Sequence, residues 1–160
     1  MSITLNGLYD LELVTLAEGL RLGRPTQLIM DVDDHRLAYV VVADGAVPDT
    51  AVIAHAEAIA SIGTDTLALH GLAALDLAFR DQRALELMRR GLVLTGLAVV
   101  TDAGEELGEI SDVELDAKGA VVSYHVRRSG MGRMLRAHRV LPADVRSVGQ
   151  VMTVARPASP

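Results

Sequence analysis

The stretch Gly104-Glu-Glu-Leu-Gly-Glu-Ile-Ser-Asp-Val-Glu-Leu-Asp116 decides the fold, because a related stretch occurs 85 residues earlier. The earlier copy begins with Gly19-Leu-Arg-Leu-Gly23 and continues to Asp31. Both copies place glycines at the same positions, and glycine occupies backbone positions that other residues fill poorly. The sequence therefore predicts one structural unit that is built twice.

The same shift pairs further residues on either side of this stretch. It aligns Val14 with Val99, Tyr39 with Tyr124 and Val41 with Val126, and one more residue of shift aligns Ser61-Ile62-Gly63 with Ser147-Val148-Gly149. The alternative is a chance match in a chain rich in Ala, Val, Leu and Gly. The matching glycines favour the repeat.

Each copy carries the signals of five short strands. Apolar and polar residues alternate along the second strand of each copy, as a half-buried strand requires. Tight polar turns separate the strands. We expect strands at about 8–16, 24–32, 36–43 and 65–70, and again at about 93–101, 109–117, 120–128 and 150–155, with a further extended piece before the last strand of each copy. Five such strands predict a small closed or half-closed barrel.

An uninterrupted segment, residues 72–90, separates the two copies. It contains neither Gly nor Pro, and Gly91 follows it, as is typical of a residue just past a helix end. Its apolar residues, among them Phe79 and Met88, fall along one helical stripe. We therefore predict a first barrel over residues 1–71, a linking helix over 72–91, a second barrel over 92–156 and a tail over 157–160.

The order of these motifs resembles the PRC-barrel family. The first copy, from Gly19–Gly23 through Tyr39-Val-Val-Val42, contains in this order a Gly turn, a Leu-Gly pair, a strand with alternate acidic residues, a hairpin and a Tyr-Val strand. The second copy contains them again, from Gly104–Asp116 through Tyr124. The resemblance implies an all-β fold of two tandem small PRC-like β-barrels joined by one α-helix. It also implies an adaptor role without a shared catalytic site.

Composition excludes several classes of function. The net charge of −6 argues against a surface that binds nucleic acid as a whole. The chain has no cysteine, which excludes disulfides and thiolate metal sites. Its longest apolar runs, such as residues 37–43, are too short to cross a bilayer. We expect a cytoplasmic protein without membrane insertion.

An arginine-rich segment, residues 127–139, stands out in this acidic chain. Arginine is suited to two-pronged contacts with carboxylate or phosphate groups. We predict that the partner-binding residues are Arg127, Arg128, Arg133, Arg136 and Arg139. Three targets remain open: an acidic protein surface, an RNA backbone, or the acidic edge of this chain itself. The scarcity of aromatic residues disfavours single-stranded nucleic acid.

Acidic side chains form two clusters in the sequence. Asp31, Asp33 and Asp34 precede His35 but lack the spacing of a calcium loop, so a solvated turn is the preferred interpretation over a metal site. Asp112, Glu114 and Asp116 alternate along a strand, with Glu105, Glu106 and Glu109 nearby, and favour a charged edge over catalysis.

The remaining candidate chemistry is sparse. The histidines lack zinc spacing, and no serine lies in a nucleophile elbow. We therefore predict no catalytic residue, no metal and no cofactor. The predicted function is a non-catalytic protein–protein interaction module, an adaptor or assembly factor. The alternative is an RNA- or ribosome-associated factor that uses the arginine-rich segment.

The third strand of the first copy is apolar on both faces. A strand of this kind must be covered on both sides. We predict that Ile29, Val40 and Val42 form a packing or dimer face. The helix, the other barrel or a second copy in a homodimer would cover it.

Overall fold

The computed structural model describes residues 3–128 and 137–155 of the 160-residue chain. Strands predominate and helices are short, which confirms the all-β class. The chain divides into a first unit, Met1–Gly91 with Leu115–Ala120, and a second unit, Leu92–Glu114 with Val121–Pro160. Within the described ranges, no helix has the length and apolar character that a membrane span requires.

The first unit contains nine strands and two α-helices in its described part. The strands are β1 Ile3–Thr4, β2 Glu12–Thr15, β3 Arg21–Gly23, β4 Gln27–Asp31, β5 Arg36–Ala43, β6 Val52–His55, β7 Ile59–Ile62, β8 Thr66–Leu69 and β9 Leu75–Leu77. The helices are α1 Leu5–Leu8 and α2 Gln82–Arg90, and single 3-10 turns lie at Pro48–Thr50, Ala56–Ala58, Leu72–Ala74 and Ala78–Arg80.

The second unit contains six strands and one 3-10 turn in its described part. The strands are β10 Ala98–Thr101, β11 Glu106–Leu115, β12 Val121–Arg127, β13 Ala137–Val140, β14 Val145–Val148 and β15 Met152–Val154. The 3-10 turn is Pro142–Asp144. These positions agree with the expected strands to within a few residues.

The strands of each unit are hydrogen-bonded in open paths. The first unit has two four-stranded sheets, in the orders β3-β2-β8-β7 and β4-β5-β6-β9. The second unit has one path, β13-β12-β11-β10-β15-β14. Each unit contains a parallel pair of strands that are distant in sequence, β2 with β8 in the first and β10 with β15 in the second. Among the described strands no path closes into a circle.

The predicted helix over 72–91 is wrong in its extent, because only Gln82–Arg90 is α-helical. Leu75–Leu77 instead forms β9, which pairs antiparallel with β6. Hydrogen bonds to a neighbouring strand have overridden the local helical preference there. The Asp81 side chain accepts a hydrogen bond from the backbone N–H of Ala84 at 3.0 Å and so begins the helix. Gly91, with a φ of 58°, ends it.

Residues on both faces of β5 are buried. Tyr39 and Val41 pack in one cluster with Ala84 and Leu87 of α2. Val40, on the opposite face, is fully buried. Burying side chains of this size contributes about 1.5–3 kcal/mol each. Helix α2 is therefore the cover for the Tyr39 face, where a second copy was one of the expected alternatives.

The predicted grouping of Ile29 with Val40 and Val42 is wrong. Ile29 lies opposite Tyr39 in the antiparallel pair, so it shares the face that α2 covers, and Leu28 lies opposite Val40. The register of this pair shifts next to Ile29, and the register of β5 with β6 shifts at Val42. A β-bulge displaces side chains from strict alternation, which a period of two cannot anticipate.

Candidate functional site

The arginine-rich segment falls at the end of one hairpin of the second unit. Arg127 ends β12, Arg128 follows it, and Arg139 lies on β13. All three are exposed. Arg133 and Arg136 lie outside the described residues. The structure therefore brings two of the five predicted partner-binding residues, Arg127 and Arg139, to adjacent strands, with Arg128 directly after the first of them.

Arg139 contacts an acid of its own sheet. Its Nη1 lies 3.3 Å from Glu114 Oε2, and the hydroxyl of Ser123 donates to the same oxygen at 3.1 Å. The hydrogen bond from Ser123 lowers the pKa of Glu114 most, and the charge of Arg139 lowers it further. Ser123 is buried. Of the three open targets, the chain's own acidic edge is the one that Arg139 contacts.

His125 lies next to this acid without a hydrogen bond to it. Its Nε2 is 3.7 Å from Glu114 Oε2, and this buried atom has no hydrogen-bond partner within the described ranges. Arg139 lies directly opposite His125 on β13. Glu114 therefore has two cationic or potentially cationic neighbours, and Arg127 and Arg128 lie further along the same hairpin.

The acidic cluster of the first unit has a structural role at the β4–β5 turn. Asp31 is buried, and its Oδ1 accepts backbone hydrogen bonds from Asp33 and Asp34. Its Oδ2 lies 2.9 Å from Arg83 Nη2. Burial alone would raise the pKa of Asp31, but the hydrogen bond and charge of Arg83 lower it below the usual value. No group of three metal-ligating side chains occurs in the described part of the chain.

A second network in the first unit was not expected from the sequence. The Tyr39 hydroxyl donates to the Asp81 carboxylate at 3.0 Å, and His55 Nε2 lies 3.0 Å from Asp81 Oδ2. The rings of Tyr39 and His55 are 4.9 Å apart between centroids. A cleft of about 180 Å³, lined among others by Tyr39, His55 and Arg83, opens beside them. Because these polar groups bind one another, the network holds α2 on the sheet.

Alkaline pH is expected to destabilise both units through two buried tyrosines. Burial, aided by the hydrogen bond to Asp81, raises the pKa of Tyr39 to about 12, and burial raises that of Tyr124 to about 12. An unfolded tyrosine has a pKa of about 10, so the unfolded state binds fewer protons between about pH 10 and 12. The free energy of unfolding should therefore fall there, by up to about 3 kcal/mol per tyrosine.

Urea unfolding at several pH values between about 9 and 11.5 checks this expectation. Tyr39→Phe and Tyr124→Phe should each remove part of the pH dependence, because phenylalanine has no proton to lose. Equal slopes in the wild type and both variants would show that these hydroxyls are not protected from ionisation.

Comparison with known protein families identifies the second half of the chain. Residues 93–159 match the model of the PRC-barrel domain. Residues 93–159 are therefore similar to a PRC-barrel domain, as the motifs of the second copy indicated. The match leaves residues 1–92 outside it. A search of curated proteins found no match to the chain.

Proposed function

We propose that this chain is a non-catalytic adaptor made of two PRC-like units, and that the second unit binds an acidic segment of a protein partner. The observation that carries the binding role is the pair Arg127 and Arg128. Both are exposed in a chain of net charge −6, and neither forms an ion pair with another described residue. Exposed cations on an acidic protein select partners of opposite charge.

The pairing of the strands supports a tandem arrangement. The parallel pair of the first unit aligns Leu13 with Leu67, and that of the second aligns Val99 with Met152. Each unit also has a register shift at the same place in its last antiparallel pair, next to Ser61 in one and Ser147 in the other. Two unrelated folds would not share these irregularities.

One turn supports the same conclusion atom by atom. Thr15 Oγ1 accepts from the backbone N–H of Leu20 at 3.1 Å, and Thr101 Oγ1 accepts from that of Glu105 at 3.1 Å. Both threonines are buried at the end of the first strand of their sheet. The turn after Thr101 is one residue shorter than the turn after Thr15. Because of this difference, the residue equivalent to Val99 on the strand before the turn is Leu13 and not Val14.

Affinity capture with identification of the captured proteins tests the adaptor role. Arg127→Glu/Arg128→Glu should reduce capture of the partner by about tenfold or more, because attraction becomes repulsion at both positions. The matched control, Arg24→Glu/Arg89→Glu, makes the same change of charge at exposed positions of the first unit and should retain the partner.

Nuclease treatment of the lysate separates the two kinds of partner. A protein partner should remain bound after the treatment, whereas loss of all captured material would favour the RNA- or ribosome-associated alternative. Equal capture by the wild type and the Arg127→Glu/Arg128→Glu variant would contradict the proposed binding surface.

A further inference from the structure

The outer edge of β13 is open in the described part of the second unit. This strand ends the sheet path, and within the described ranges it pairs only with β12. Alternate residues of an edge strand direct backbone N–H and C=O groups away from the sheet. The edge next to His138 and Arg139 therefore offers donors and acceptors in the spacing of a strand.

The first unit shows what fills the equivalent edge. Tyr39 lies opposite His55 on β6, as Tyr124 lies opposite Val140 on β13, so β6 and β13 hold the same place. On its other side β6 pairs antiparallel with β9, the segment Leu75–Leu77. This equivalence rests on the tandem arrangement proposed above. An added strand is thus the cover that the fold already uses at this edge.

We propose that the outer edge of β13 binds an extended acidic segment of a protein partner by antiparallel strand addition. In strand addition the backbone hydrogen bonds supply affinity and the alternate side chains supply specificity. In the first unit, Leu75 of β9 lies opposite Ala54, and Asp76 lies opposite Ile53. A bound segment in the same register places the residue equivalent to Leu75 opposite Arg139 and the residue equivalent to Asp76 opposite His138.

Charge selects the class of segment. The side chain of Arg139 contacts Glu114 and is still 67 % exposed. Oppositely charged residues directly across two strands are favourable, and like charges there are unfavourable. Acidic residues at both central positions of the added strand therefore suit this edge, and basic residues do not.

Charged edge strands also protect sheets from aggregation, and this is the competing role of Arg139. The two roles predict different behaviour towards an acidic peptide. A purely protective edge repels every added strand, whereas a binding edge accepts one of matching charge and register.

The test uses the full chain and a synthetic peptide with the sequence of residues 72–80 carrying Leu75→Glu. Amide hydrogen exchange of β13 should slow by about tenfold or more at saturating peptide, while that of β14, the opposite edge, should not change. The same peptide with Leu75→Lys/Asp76→Lys, or with N-methylated backbone at positions 76 and 78, whose N–H groups face the partner strand in this register, should give no protection.

A pair of protein variants completes the test. Arg139→Glu should weaken binding of the acidic peptide by about tenfold, because a favourable cross-strand pair becomes a repulsive one. Arg146→Glu, at an exposed arginine of β14, is the matched control and should bind as the wild type does.

The outcomes separate this inference from the proposed function. Failure of the acidic peptide to bind, or protection of amides elsewhere than β13, overturns strand addition. Loss of the captured partner in Arg127→Glu/Arg128→Glu without protection of β13 leaves the adaptor role intact and overturns only this edge as its site.

Discussion

Gly108→Ala is expected to destabilise the second unit by about 4 kcal/mol or more, a loss at the upper end of what single substitutions cause. Gly108 has a φ of 139°, a backbone conformation that residues with a side chain rarely adopt. A Cβ atom here would overlap the carbonyl oxygen of Arg127 and lie 2.7 Å from its carbonyl carbon. Because both atoms belong to the backbone of the adjacent strand, β11 and β12 would have to separate.

Gly104→Ala is the matched control for that substitution. Gly104 also has a positive φ, 82°, but apart from the glycine and its two chain neighbours no heavy atom of the described residues lies within 4 Å of the position that a Cβ atom would take. Its cost should be confined to backbone strain, about 1–2 kcal/mol. Urea unfolding and amide exchange of β10, β11 and β12 measure both variants. Similar losses for the two would show that crowding at Gly108 is unimportant.

Asp81→Ala is expected to lower the free energy of unfolding of the first unit by about 2–4 kcal/mol. The substitution removes the N-terminal cap of α2, which is worth about 1 kcal/mol. It also leaves the buried hydroxyl of Tyr39 without its acceptor, which costs about 1–3 kcal/mol. Denaturant unfolding followed by circular dichroism measures the loss.

A double-mutant cycle isolates the second contribution. In a Tyr39→Phe background the hydroxyl is absent, so Asp81→Ala should cost about 1–3 kcal/mol less than it does in the wild type. Asp10→Ala, at an exposed aspartate, should change stability by less than about 0.5 kcal/mol. Strict additivity in the cycle would mean that Tyr39 and Asp81 do not depend on each other.

Most strands of this fold could be predicted because their signals are local. Alternating residues identify β4 and β11, and the tight turns that follow them locate β5 and β12. The division of the first unit into two sheets also has a local signal. Pro25 stands between β3 and β4. A shift of 85 residues aligns Pro25 with Ile110, whose backbone N–H donates to the carbonyl oxygen of Leu97 at 2.9 Å. Proline has no N–H to donate, so the long strand is interrupted there.

Contacts between residues distant in sequence could not be predicted in the same way. Leu75–Leu77 has a helical environment in sequence and becomes a strand only because β6 lies beside it. The Tyr39–His55–Asp81 network joins three elements, and no spacing in the sequence brings them together. The one available signal was Asp81 itself, an aspartate at a good position to cap a helix that begins at Gln82.

The sequence predicts which type of residue forms the candidate site, but it does not predict how these residues are arranged. The sequence shows that arginines are concentrated over residues 127–139. It does not show that Arg139 contacts Glu114 while Arg127 and Arg128 remain exposed, because that depends on the register of β12 with β13. A difference of one residue in that register would have moved Arg139 to the other face of the sheet.

The parallel pairs β2 with β8 and β10 with β15 have a consequence for how the chain folds. About fifty residues separate Leu13 from Leu67, and a similar number separate Val99 from Met152. Neither sheet can be completed until its final strand has been synthesised and has returned to the first, and such closure slows folding. During translation the first unit can reach this point while most of the second has yet to leave the ribosome, so the two sheets are completed one after the other.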